Sequence, residues 1–69
     1  MEIIINNQKK QLPELETISV QDLLHLEIPG KQMGVAVAIN NQVVAKSQWA
    51  NTSVSDKDTI MIIRATQGG

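Results

Sequence analysis

Cysteine, tyrosine and phenylalanine are all absent from the 69 residues. Without a thiol there is no disulfide, no thiolate nucleophile and no sulfur-ligated metal, and a reducing compartment suits such a chain. Trp49 is the only aromatic residue, so no row of rings exists on which bases could stack. A net charge of −1, from six basic and seven acidic side chains, supplies no basic field for phosphate backbones. Nucleic acid is therefore not expected as a partner. No basic leader runs into an apolar segment, and no apolar run approaches the roughly 20 residues that cross a bilayer. A cytoplasmic protein with no membrane contact is expected.

Catalytic groups are equally scarce. His25 is the sole histidine, with no carboxylate spaced to share a metal, and a solvated helix position suits it better than a catalytic one. Asp56 and Asp58 lack the alternating oxygen ligands and twelfth-position glutamate of a calcium loop. No metal and no resident cofactor are expected, and an enzyme in its own right is disfavoured. A chain of this length makes one domain near the lower size limit for independent folding, burying only about 60% of its unfolded surface.

What is present reads as short elements with clear punctuation. Met1–Asn6 is a strand built on Ile3, Ile4 and Ile5. Asn6-Asn7-Gln8 is a hairpin signal, because asparagine tolerates the left-handed conformation of tight turns. A second strand covers Lys9–Leu12 and ends at Pro13, and Glu14–Thr17 is a polar loop. Ser19 followed three residues later by Asp22 resembles a helix N-cap. Val20, Leu23 and Leu24 then form one apolar stripe, and Pro29-Gly30 stops the helix.

Val35–Ile39 is the next strand, with Val35, Val37 and Ile39 on one face and Ala36 and Ala38 on the other. Asn40-Asn41 is a second hairpin signal leading into Val43-Val44. Ser47–Asn51 reads as a helical turn capped by Ser47. Val54 anchors a loop, and Asp56-Lys57-Asp58 is a turn. The last strand, Thr59–Ala65, alternates Ile60, Ile62 and Arg64 against Met61, Ile63 and Ala65. The order is strand, strand, helix, then three strands. The isoleucine-rich first and last strands are the natural central pair of one sheet, with the helix across one face. That is an α+β fold of the β-grasp, ubiquitin-like type: a mixed sheet of four to five strands on one short helix. Residues 1–65 form the domain, and residues 66–69 form a flexible tail.

The tail, Gln67-Gly68-Gly69, carries the functional signal. Glycine lacks a Cβ and adds no width, so a Gly-Gly end can thread a channel too narrow for side chains. Frayed ends are common in any domain, so the weight of this signal rests on the body before it.

That body, with Met1-Glu2-Ile3, Ser19 to Leu24, Val35 to Asn40, Val43-Val44, Ser47-Gln48-Trp49, Asp58-Thr59-Ile60 and Gly68-Gly69, resembles the sulfur-carrier family of thiamine biosynthesis (ThiS) along nearly its whole length. Ala45-Lys46 stands where the family often has Pro-Arg, and Lys57 where it usually has glycine. A non-glycine residue in the left-handed region costs roughly 1–2 kcal/mol, so this turn is either different or strained.

The resemblance implies a carrier that is a substrate and not a catalyst. The Gly69 carboxylate would be adenylated by an ATP-dependent enzyme of the ubiquitin-activating type. It would then be converted by a persulfide sulfur-donor protein into a thiocarboxylate, and would pass its sulfur to thiazole synthase. Gly68 and Gln67 would let the end enter the channel. ATP would belong to the partner. The small subunit of molybdopterin synthase, and a β-grasp binding module with an incidental Gly-Gly, remain alternatives. The first usually has a longer chain and paired prolines, where this one has Arg64-Ala65-Thr66-Gln67.

Strand alternation also suggests where partners dock. If Ile60 and Ile62 face the helix, Met61 and Ile63 face outward, and Ala36 and Ala38 leave the neighbouring strand flat. Single exposed apolar residues are ordinary, whereas a grouped set marks a contact patch. Arg64, near the tail, fits guidance of an acidic groove or of ATP phosphates, and equally a plain solvated charge. Trp49 fits a contact or a packing role, and a large aromatic after a capped turn favours packing.

Overall fold

The chain alternates strand pairs with a single helix, and the computed structural model describes residues 1–30 and 34–64. Strand β1 spans Glu2–Ile5, β2 Gln8–Gln11, β3 Thr17–Ser19, helix α1 Val20–Glu27, β4 Val35–Ile39 and β5 Gln42–Val44; a 3-10 helix at Lys46–Asn51 precedes β6 (Ser53–Ser55) and β7 (Thr59–Arg64). Five strands make one sheet in the order β2-β1-β7-β4-β5, and β3 with β6 makes a separate two-stranded ladder. Strands β1 and β7 run parallel, with Ile5 beside Ile60, and the other neighbours are antiparallel. The expected central pair and β-grasp layout are therefore present. The proposed tail, and Ala65 at the end of the expected last strand, lie outside the described residues.

Both hairpins turn on paired asparagines in the left-handed region. Asn6 and Asn7 have φ of 50° and 69°, and Asn40 and Asn41 have φ of 49° and 71°. Two consecutive positive φ values define the turn whose twist matches the flanking strands. Each leading asparagine has a second task. The Asn6 backbone N–H donates to the Ile60 carbonyl at 3.0 Å. Its side chain then donates to the Ile62 carbonyl and accepts from the Ile62 N–H at 2.8 Å. The side chain of Asn6 thus stands in for one more residue of β1. Asn40 does likewise at the other end of β7, accepting from the Thr59 N–H at 3.0 Å and donating to Asp58 at 3.1 Å.

The core lies between the sheet and α1. Ile3, Ile5, Val20, Leu23, Leu24, Val37, Trp49, Val54 and Ile60 are buried, each contributing roughly 1.5–3 kcal/mol for a fully buried aliphatic side chain. Helix α1 has 8 residues and could not persist in water without this packing. The Ser19 Oγ accepts from the Asp22 N–H at 3.0 Å, which is the expected N-cap. His25 is exposed, as expected. Trp49 packs, with 3% exposure, and its Nε1 donates to the Val44 carbonyl at 3.1 Å.

Three local expectations are corrected. Thr17 is not loop but the start of β3, and Val54 is the buried centre of β6, because Ile18 pairs with Val54. Three-residue strands carry too little alternation to be read locally. Ser47 does not cap its helix: the cap position is Ala45, without a side-chain hydrogen bond, and the segment winds as 3-10. The turn is closed instead by Thr52, whose hydroxyl donates to the Gln48 carbonyl at 2.8 Å.

Lys57 does adopt a left-handed conformation, with φ of 74°. The turn is held regardless, since the Lys57 N–H donates to the Glu2 carbonyl and the Glu2 N–H to the Asp56 carboxylate at 2.7 Å. Replacing Lys57 by glycine removes the steric cost and loses only an exposed 3.8 Å pair with Glu2, of a kind that contributes little. Lys57→Gly is expected to gain about 1 kcal/mol, which raises the melting temperature by about 4–8 °C in a domain of this size. A thermal melt followed by circular dichroism checks this, and a lower melting point would show that the strain is offset.

Candidate functional site

The outward face of the sheet is where the strand patterns leave apolar side chains uncovered. Along β7 burial alternates: Ile60 is buried and Ile62 half-buried against the helix, while Met61 and Ile63 are 42% and 58% exposed. Along β4, Val37 is buried, Ala36 exposed and Ala38 half-buried. The register places Ala36 opposite Ile63 and Ala38 opposite Met61. Directly opposite residues stand about 4.5–5.5 Å apart at Cβ, so these four side chains form one surface. The alanines keep its floor low beside the two larger residues.

Two further residues belong to this surface that the sequence reading did not include. Val43 is 82% exposed and lies opposite Ala38 on β5, so Met61, Ala38 and Val43 form a row across three strands. Its place follows from the Asn40-Asn41 turn, which fixes the register of the hairpin. Ile4 sits half-buried on the same face, beside Thr59. Three successive isoleucines hid it, because a run of one residue type carries no alternation.

Arg64 is placed differently from the expected docking group. It pairs with Val35 and so shares its side of β7 with Ile60 and Ile62, exposed at the end of the strand. It borders the patch without belonging to it. Residues Gln67, Gly68 and Gly69 lie outside the described residues. Among the described residues, no three histidine, aspartate or glutamate side chains gather to hold a metal. The arrangement is an apolar face on the sheet, centred on the last strand of the chain.

A family model for ThiS matches residues 3–69 of this chain. The chain belongs to the ThiS family. The sulfur carrier protein ThiS of Escherichia coli K12 is 38% identical over 69 residues, covering 100% of both chains. The crystal structure of a ThiS thiamine biosynthesis protein from Geobacter metallireducens matches with a TM-score of 0.87 at 23% identity, covering 100% of both chains. The solution structure of a thiamine biosynthesis protein from the same organism gives 0.83 at 23% identity, covering 100% of this chain and 88% of that one. At such identity these structures speak for the fold, while the sequence matches carry the family. As a member of the ThiS family, the protein is a sulfur carrier of thiamine biosynthesis, a substrate of partner enzymes rather than an enzyme. ThiS carriers work with activating and sulfur-transfer enzymes in general. The molybdopterin synthase and incidental-tail alternatives give way to this assignment.

Proposed function

We propose that Gly69 bears the sulfur. Its carboxylate attacks the α-phosphate of ATP within a separate adenylating enzyme of the ubiquitin-activating type, and pyrophosphate leaves. The acyl-adenylate so formed is a far better acyl donor than a carboxylate, whose oxyanion leaves poorly. The terminal sulfur of a persulfide donor protein then displaces AMP and forms an acyl disulfide. A thiol of a partner attacks the donor's sulfur, forming a disulfide and releasing the thiocarboxylate that supplies thiazole synthase. Gly68 and Gln67 let the chain end reach the nucleotide. The observation that supports this reading is the family match, which extends to Gly69. The carrier needs no catalytic side chain of its own, because ATP and the reacting groups belong to the partners.

The test is a reconstitution read by mass spectrometry. Full-length protein incubated with ATP, a persulfide donor, a thiol reductant and the adenylating enzyme is expected to gain the mass difference of one oxygen-for-sulfur exchange. Omission of ATP should prevent it. An unchanged mass in the complete reaction would remove Gly69 from its role.

In the same reading, Met61, Ile63, Ala36 and Ala38 dock the adenylating enzyme and thiazole synthase, with Arg64 at the margin. Ile63→Asp places a charge at the centre of the apolar face, where desolvating it is costly. Binding to the adenylating enzyme should weaken at least tenfold, about 1.4 kcal/mol, in isothermal titration. The domain should stay folded, since Ile63 is 58% exposed. Equal affinity in a folded variant would remove the docking face.

A further inference from the structure

Two strand edges border one open groove, and among the described residues neither has a strand partner on that side. The groove, about 790 Å³ in volume, is lined by β5, the 3-10 helix and the start of β6, including Gln42, Val43, Ala45, Gln48 and Ser53. Strand β5 is the last of its sheet. Ile39 and Gln42 close the two-residue turn, so they are the hydrogen-bonded pair, and the alternation makes Ala38 and Val43 a non-bonded pair. The Asn40 N–H donating to Thr59 on the opposite side confirms the phase. The N–H and C=O of Val43 therefore point away from β4, at the free edge.

The same reasoning applies to β6. The Val20 N–H donates to the Thr52 carbonyl, and the Ser55 N–H donates to the Asp58 Oδ2 at 2.8 Å rather than to β3. Ile18 and Val54 are thus the hydrogen-bonded pair of that ladder. The N–H and C=O of Ser53 point away from β3. Two backbone donors and two acceptors accordingly border one groove from two strands.

We propose that this groove accepts an extended, uncharged peptide segment of a partner protein as an added strand between β5 and β6. Main-chain pairing at a free sheet edge is an established mode of peptide recognition, and the volume lies in the range of ligand-binding clefts. The chemistry of the lining selects the occupant. Gln42, Gln48 and Ser53 offer neutral amide and hydroxyl groups. The one charged residue among the described lining residues, Asp58, is negatively charged but has both carboxylate oxygens occupied, by the Asn40 amide and by the Ser55 N–H. With no cation in the lining, anionic ligands gain nothing there. A second copy of this chain is a poorer fit, because its exposed strand already has a sheet neighbour on one side and could satisfy only one wall. A lone extended segment satisfies both.

The probe is a blocked peptide of alternating threonine and valine, titrated into the full-length protein and followed by amide exchange and chemical shifts. Slowed exchange at Val43 and Ser53, at least tenfold at saturation, is the expected result. The same peptide N-methylated at alternate amides should give no protection. Ser53→Pro removes one groove-facing N–H without removing a ladder bond, and Thr52, with φ −108° and ψ 126°, already has the conformation a following proline requires. That variant should bind at least tenfold more weakly while its spectrum stays dispersed. Equal protection by the N-methylated peptide, or shifts confined to Met61 and Ile63, would overturn the proposal. So would protection of Val43 that depends on protein concentration without peptide, which would make the occupant a second copy.

Discussion

Removal of Gly69 is expected to leave the domain folded and, if Gly69 bears the sulfur as proposed, to cut sulfur loading at least a hundredfold. The buried core ends at Ile60, with Ile62 packed against it, so the melting temperature of the truncated protein should match that of the full chain. The shortened protein still ends in a carboxylate, now on Gly68, so chemistry alone does not forbid activation. Geometry does. Loss of one residue draws the reactive group back by up to about 3.3–3.6 Å, and a misplacement of about 1 Å from the reacting partner already costs on the order of a hundredfold. Loading measured by mass spectrometry should therefore fall at least a hundredfold. Gly68→Val gives the independent arm: it keeps the carboxylate in register but adds a branched side chain where the chain must be slender. It too should fail to load. Normal loading of both variants would mean that neither the position nor the width of the chain end matters.

Leu24→Ala is the second large effect, and it acts through the fold. Leu24 is completely buried, and its carbonyl receives the Ile28 N–H that closes α1. Emptying such a site costs about 2–5 kcal/mol, against a total stability in the range of about 5–15 kcal/mol for domains in general and at the low end for one this small. With about 4–8 °C lost per kcal/mol, a loss of about 2 kcal/mol or more should lower the melting temperature by at least about 8 °C. The outward face depends on the same sheet, so partner binding should fall as the unfolded fraction grows. Leu26→Ala, on the same helix but 57% exposed, should change stability by less than about 0.5 kcal/mol. Urea titration of the two variants checks this. Equal midpoints would mean that the helix does not carry the core.

The outward face of the sheet shows why some positions were legible and others were not. Met61 and Ile63 could be assigned from β7 alone, since six residues with period-two alternation mark their own faces. Ile4 and Val43 could not. Their faces are set by neighbours, through the Ile4–Thr59 and Ala38–Val43 pairings. Arg64 obeyed the alternation and so fell on the side of Ile60 and Ile62, although the sequence reading groups it with Met61 and Ile63 as a docking residue.

By itself the sequence determined the elements whose signals are local: the capped amphipathic helix, the two asparagine turns, the isoleucine strands and the Gly68-Gly69 end. Each depends on backbone conformation or on spacing within one segment, and neither needs a distant partner to be recognised. Only the tertiary structure decided the β3–β6 ladder, the absence of a cap at Ser47, the ladder-extending side chains of Asn6 and Asn40, and the unpaired edges at Val43 and Ser53. These are matters of long-range hydrogen bonding, where a group's partner lies far along the chain and its direction is fixed by register.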